Sequence, residues 1–331
     1  MSTIVLSGSN DALGRRVRAL LDADETVDRV VTVDGDLPDL KARLEGATAL
    51  IQLAGDVEGT RALLDAAAAI GTTAVVLLSS ATVYGAWPSN PVPLTEDAPL
   101  RPNADLEFAV RAAERERLAV EWRADHPGVS VAILRPAVPV AEDESGWLAR
   151  GLRAAAAVRP AGPDDPPAQY VHLDDLAAAI VLAWRSRLDG PFNVAPDGWI
   201  PGEQLRALAG TPRVRVPGPI ARVLTWAGWH FGLAPAPPGL LAYTIHPWVV
   251  ANDRLKAAGW SPQSSNEEAY VAGHRPAPWA TVSPKRRQEL ALGGTAAVGV
   301  GAVAGVVALV RRLQRRSAGG VSSGRARPAS R

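Results

Sequence analysis

Along the first 135 residues, short apolar or β-branched runs alternate with longer stretches of helical periodicity. That is the pattern of a parallel sheet built from βαβ units. Residues 3–6 read as a strand, followed by a tight turn and a helix over about 13–23. Residues 30–33 read as a second strand, ending at Asp34, and 49–53 as a third, leading to a helix over roughly 57–70. Residues 74–79 hold five apolar residues in six, which predicts a strand buried on both faces. A polar-faced helix over about 105–125 and a strand at 129–134 complete this half.

After Arg135-Pro136 the pattern breaks into shorter pieces. Residues 162–167 form a Gly/Pro/Asp loop, and Tyr170-Val171-His172 leads to a helix for which Asp174 or Asp175 is the expected N-cap. Residues 200–275 mix short helices with proline-rich turns. Trp226, Trp229, Trp248, Trp260 and Trp279 are expected to form this region's core; the alternative is that the apolar stretch 219–232 faces lipid. Residues 290–310 carry no charge and lie between Lys285-Arg286-Arg287 and Arg311, Arg312, Arg315 and Arg316. As a helix they would span about 30 Å, the thickness of a bilayer core.

The fold class expected is α/β: a Rossmann-type, doubly wound parallel sheet with a smaller mixed α/β region and a C-terminal apolar helix. The divisions expected are a dinucleotide-binding-type domain over 1–160, and a substrate-type region over 161–280 that sends strands and helices back to it. A basic linker (281–289), a transmembrane helix (290–310) and a basic tail (311–331) follow.

Composition narrows the chemistry. Lys+Arg is 35 against Asp+Glu 34, so the net charge of +1 gives no reason to expect nucleic acid as a partner. The absence of cysteine removes disulfides, thiolate metal sites and a cysteine nucleophile. The five histidines are scattered without metal-ligand spacing, so no metal is expected. Lysine occurs at Lys41, Lys256 and Lys285 and nowhere else. Residues 1–6 have no basic leader before the turn at Gly8, so a cytoplasmic domain is expected, anchored through 290–310.

The turn after the first strand runs Gly8-Ser9-Asn10-Asp11-Ala12-Leu13-Gly14. Glycines between a strand and a helix aim backbone N–H groups at a pyrophosphate, and an acidic residue some 20 positions on, here Asp34, suits a ribose 2′-hydroxyl. Asp34 therefore favours NAD over NADP.

Further on come Gly59-Thr60-Arg61-Ala62-Leu63-Leu64, Ser79-Ser80-Ala81-Thr82-Val83-Tyr84-Gly85, Arg135-Pro136, Tyr170-Val171-His172-Leu173-Asp174-Asp175 and Phe192-Asn193-Val194-Ala195. In this order, and over about residues 1–275, the chain resembles the extended short-chain dehydrogenase/reductases. Within them it resembles the NAD-dependent epimerase/dehydratase family typified by UDP-galactose 4-epimerase. The resemblance implies hydride transfer to NAD, with a tyrosine as acid/base, a lysine lowering its pKa and a serine assisting. It implies NAD contacts at Gly8, Asp11, Gly14, Asp34, Leu53, Ala54, Gly55 and Pro136.

The chain departs from that family where the chemistry lies. Ser80 keeps the serine position, but the tyrosine and lysine positions fall on Phe108 and Ala112. No shift of register restores the pair: four residues after Tyr84, Tyr170, Tyr243 and Tyr270 stand Pro88, Asp174, Pro247 and His274. Asp11 replaces the family's middle glycine, and a carboxylate about 4 Å from a phosphate costs on the order of 4 kcal/mol. Residues 35–39 are too few for the strand the family places there, and its loop after Leu53-Ala54-Gly55 is missing. The expectation is a catalytically impaired, membrane-tethered module for a nucleotide, sugar or lipid-linked ligand, with a homodimer compatible with it. Two alternatives stand beside it: an active oxidoreductase or epimerase with a rearranged site, and a membrane-anchored scaffold.

Overall fold

Six strands form one parallel sheet in the order β2-β1-β3-β4-β5-β9. The computed structural model describes residues 2–33, 40–144, 146–160, 165–209, 214–232 and 236–274. The sheet strands are β1 (Ser2–Ser7), β2 (Val27–Val33), β3 (Ala49–Gln52), β4 (Ala74–Leu78), β5 (Ser130–Pro136) and β9 (Gly190–Val194). Two short parallel pairs lie outside the sheet: β6 (Val138–Val140) with β8 (Tyr170–His172), and β7 (Val158–Pro160) with β10 (Val214–Val216). The helices are α1 (Ala12–Asp22), α2 (Leu40–Leu44), α3 (Val57–Ala69), α4 (Glu107–Asp125), α5 (Trp147–Ala157) and α6 (Leu173–Arg185). Shorter or later ones are α7 (Gly202–Ala209), α8 (Gly218–His230), α9 (Leu240–Tyr243), α10 (Asp253–Ala257) and α11 (Asn266–Ala272).

The period-2 alternation of the strands divides the core. Ile4 and Leu6 of β1 join a layer with Leu21 of α1 and Leu176 and Ile180 of α6. Val5, between them, joins the opposite layer with Leu63 and Leu64 of α3 and Leu118 and Trp122 of α4. Each fully buried Leu or Ile contributes about 1.5–3 kcal/mol, so a one-residue slip of β1 would be prohibitive. A third cluster, with Tyr84, Leu106, Val138, Tyr170, Tyr243 and Trp248, fills the region beyond β5.

The chain crosses from one side of β1 to the other between β2 and β3, so the switch point lies between β1 and β3. Strand β2 is the edge of the described sheet, and the 35–39 segment lies outside the described residues. Strand β9, from the later half, pairs with β5, so the sheet draws on both halves of the chain.

Two expectations are corrected. The N-cap of α6 is His172 and neither aspartate: its Nδ1 accepts from the Asp174 N–H at 3.3 Å. Asp175 instead accepts from the Gln263 and Ser264 N–H groups (2.8 and 3.0 Å), and Asp174 pairs with Arg16 at 2.6 Å. The tryptophans do not form one core. Trp248 and Trp260 are buried, but Trp226 and Trp229 are half exposed, because α8 turns inward with just Ala221 and Thr225, one helical turn apart. Trp279 lies outside the described residues. So do the linker at 281–289, the transmembrane helix expected at 290–310 and the tail after it; no helix among the described residues is long and apolar enough to cross a membrane.

Candidate functional site

A cleft of about 520 Å³ opens at the carboxyl ends of the sheet strands. The turn after β1 contributes Asp11, the segment after β3 contributes Leu53, Ala54, Gly55 and Asp56, and the segment after β4 contributes Ser79 and Ser80. Pro136 closes the end of β5. Helix α4 lines one wall with Phe108, Arg111, Ala112 and Arg115, and Glu144, Trp147 and Leu148 cover the cleft from the β6–α5 side. The sequence-predicted positions Asp11, Leu53, Ala54, Gly55, Ser80, Phe108, Ala112 and Pro136 thus come together. Gly8 and Gly14 shape the turn behind the cleft, and Asp34 lies outside the described residues.

That turn depends on its two glycines. Gly8 has φ +80°, and a Cβ there would stand 2.7 Å from the Ala54 nitrogen. A Cβ on Gly14 would meet the Ser9 carbonyl oxygen at 2.4 Å, so α1 packs against its own entry turn. The N–H groups this geometry exposes are already engaged. Asp11 Oδ1 accepts from the Gly14 N–H at 2.7 Å, and Glu144 Oε2 accepts from the Ala12 N–H at 3.2 Å. Glu144 follows an acidic run that is tied down on both sides: Asp143 pairs with Arg16 at 2.8 Å and Glu142 with His172 at 3.1 Å. The Arg16 hydrogen bond holds the Asp143 carboxyl below its ordinary range.

A helix N-terminus is an anion site because its first N–H groups lack backbone partners. In this fold two of those groups, the Ala12 and Gly14 N–H, already hold carboxylates of the chain itself. Asp56 likewise caps α3 through the Gly59 N–H at 2.7 Å, directly after Gly55.

The positions expected to carry proton transfer lack the atoms for it. Phe108 stands edge-on to Trp147 with ring centroids 4.8 Å apart, and Ala112 is its neighbour one turn on. No tyrosine or lysine side chain that is described lines the cleft. Tyr84 is buried and spent elsewhere: its hydroxyl donates to Asn193 Oδ1 and accepts from Arg135 Nη1, both at 2.8 Å. Burial pushes that phenol up to about 12, against the pull of Arg135. Lys256 is exposed and bound to Asp197 at 2.9 Å. Ser80 Oγ accepts from the Thr82 N–H and hydroxyl, the work of a turn serine.

Sequence reading missed the ionic layer under the cleft. Arg135 donates to Glu116 from Nε (2.9 Å) and Nη2 (2.6 Å), and Ser79 donates to the same carboxylate. Burial opposes the Arg135 charge, but Glu116 overrides it and the pKa rises. Glu116 is buried on a helix whose sequence reads as polar-faced, so nothing local marks it as an internal charge. The Glu142-Asp143-Glu144 run returns to α1 through a long-range contact that no local signal marks. Among the described residues no group of three or more metal-capable side chains occurs.

The model of the NAD dependent epimerase/dehydratase family matches residues 13–195. The chain belongs to that family. A 3-diazoavenalumate denitrifying reductase of Streptomyces is 32% identical over 219 residues, 62% of this chain and 66% of the reductase. An uncharacterized protein of Sinorhizobium fredii is 28% identical over 228 residues, 64% of this chain. The match spans about half of that relative, 55% of its length. Among solved structures, the Thermus thermophilus UDP-glucose 4-epimerase complex with NAD superposes with a TM-score of 0.58 at 20% identity. The match covers 82% of this chain and 97% of the epimerase. That likeness shows the family's fold.

Proposed function

We propose that this family member binds a nucleotide, sugar or lipid-linked ligand in the cleft and does not run the family's proton relay there. One observation carries the reading: Phe108 and Ala112 stand on the cleft wall with no described tyrosine or lysine beside them. A positioned general acid or base contributes roughly 100- to 10,000-fold to a rate, and a phenyl ring supplies none of it. The two carboxylates at the α1 N-terminus support the same reading, because they oppose the phosphates of the family's cofactor. The uncharged run 290–310 between basic clusters supports a membrane tether for the module.

The test is turnover. The full chain is incubated with NAD and, in turn, UDP-glucose and dTDP-glucose, and followed by nicotinamide absorbance and sugar analysis. No reduced cofactor and no altered sugar are expected. Turnover that Ser80→Ala abolishes would contradict the reading, because it would place the family's chemistry in this cleft.

A further inference from the structure

The cleft wall carries a buried guanidinium that is only partly hydrogen-bonded among the described residues. Arg115 is 8% exposed, and among the described residues its one hydrogen bond runs from Nε to Thr60 Oγ1 at 3.0 Å. Its Nη2 is buried with no hydrogen-bond partner. The nearby carboxylates are engaged elsewhere: Glu116 with Arg135 and Ser79, and Asp56 with the α3 N-terminus. Burial pulls the Arg115 pKa down to about 10, against the attraction of Glu116 and Asp56. A buried guanidinium with so few bonds destabilises the fold that contains it.

Nor does the fold depend on the one bond it makes. Thr60 Oγ1 donates to the Asp56 carbonyl at 2.7 Å and accepts from Gln52 Nε2 at 3.1 Å, and would stay satisfied without Arg115. Thr60 thus does not need Arg115, and the guanidinium lines the cleft three residues past Ala112, with Phe108 and Trp147 on the same cavity. Asp11 and Glu144 also line the cleft; both repel an anion and restrict the orientation of anything bearing one.

We propose that Arg115 is the anion anchor of the cleft, receiving the carboxylate or phosphate oxyanion of a ligand whose apolar body lies against Phe108 and Trp147. This rests on the reading of the cleft as a ligand site without the proton relay, and it names the chemistry of the ligand. A guanidinium fork suits either oxyanion bidentately.

Scanning calorimetry on the full chain at constant ionic strength tests it, with benzoate, phenyl phosphate and the neutral benzamide as probes. At a concentration near ten times Kd, at least one of the two anions raises the wild-type Tm by about 2–4 °C and benzamide does not. The anion that responds identifies the oxyanion class. Arg115→Met melts at or above the wild type in plain buffer and loses the response. Where that variant does not fold, the Arg115 Nε–Hε resonance of the wild type, followed by NMR, moves with the anion and stays still with benzamide. Equal responses in wild type and variant, or a wild type indifferent to both anions, overturn the proposal. Nucleotide-sugar turnover would sink the functional reading and leave an anion response standing. An indifferent wild type sinks the anchor and leaves an absence of turnover untouched.

Discussion

At the scale of single residues, the proposed reading turns on a few carboxylates and on positions 108 and 112, which hold a phenyl ring and a methyl group. Asp11 does two things at once: it caps α1 through the Gly14 N–H and puts a negative charge where a phosphate would lie. Glu144 adds a second charge at the Ala12 N–H. The double variant Asp11→Gly, Glu144→Ala is therefore expected to have effects of opposite sign. Replacing the Asp11 cap by glycine lowers stability by about a few tenths of a kcal/mol. Opening the helix N-terminus raises NAD affinity by roughly tenfold or more, read by calorimetry. Loss of stability with no gain in affinity would show that the two carboxylates do not guard the site.

At the scale of elements, the βα units of the first half were legible because alternation, turn glycines and helix periodicity agree. Helix α3 starts directly after Gly55 for a reason visible in the chain: Asp56 is already its cap. The α6 cap was misread because two aspartates follow a histidine, and which group caps is set by backbone geometry: His172 is extended, whereas the aspartates are already in the first turn. In α8 the apolar residues were visible but their direction was not, since just a short inward face of small residues decides it. The last helix, α11, ends beside a titratable core. His274 stacks on Tyr270 with centroids 3.7 Å apart and meets Tyr170 edge-on. Burial, helped by Arg153, pulls its pKa from the ordinary 6.5 down to about 4. The neutral form is the one the fold favours, so its contribution is full above pH 6.5 and is lost as the pH falls through about 4. That contribution is on the order of 3 kcal/mol. Denaturant unfolding of His274→Phe and wild type across this range is expected to show their stability difference changing between pH 6.5 and 4 and flat above. A difference independent of pH would remove His274 from the account.

At the scale of the molecule, the sheet brings together residues far apart in the chain, and that is where sequence reading stopped. Positions 11, 53–55, 80, 108, 112 and 136 were assigned to one site from motif order alone, and the fold gathers them. Glu144, Trp147 and the Arg135–Glu116 pair escaped because nothing local marks a contact across 100 or more residues or a charge buried on a polar-faced helix. The surface of α8 belongs to this scale as well. Val223 is 63% exposed and Phe231 68%, with Trp226 and Trp229 beside them, a face suited to the headgroup boundary of a bilayer. Together with 290–310 it predicts that the full chain sediments with membranes. Deleting 290–331 is expected to release most of it to the supernatant. An unchanged distribution would count against the tether.

The proposal that the cleft does not serve as a nicotinamide site is tested by calorimetric titration of NAD into the unmodified full chain. The prediction is that no binding is seen in the micromolar range, since the first N–H groups of α1 are held by Asp11 and Glu144. Micromolar binding by the wild type, at one NAD per chain, would contradict it.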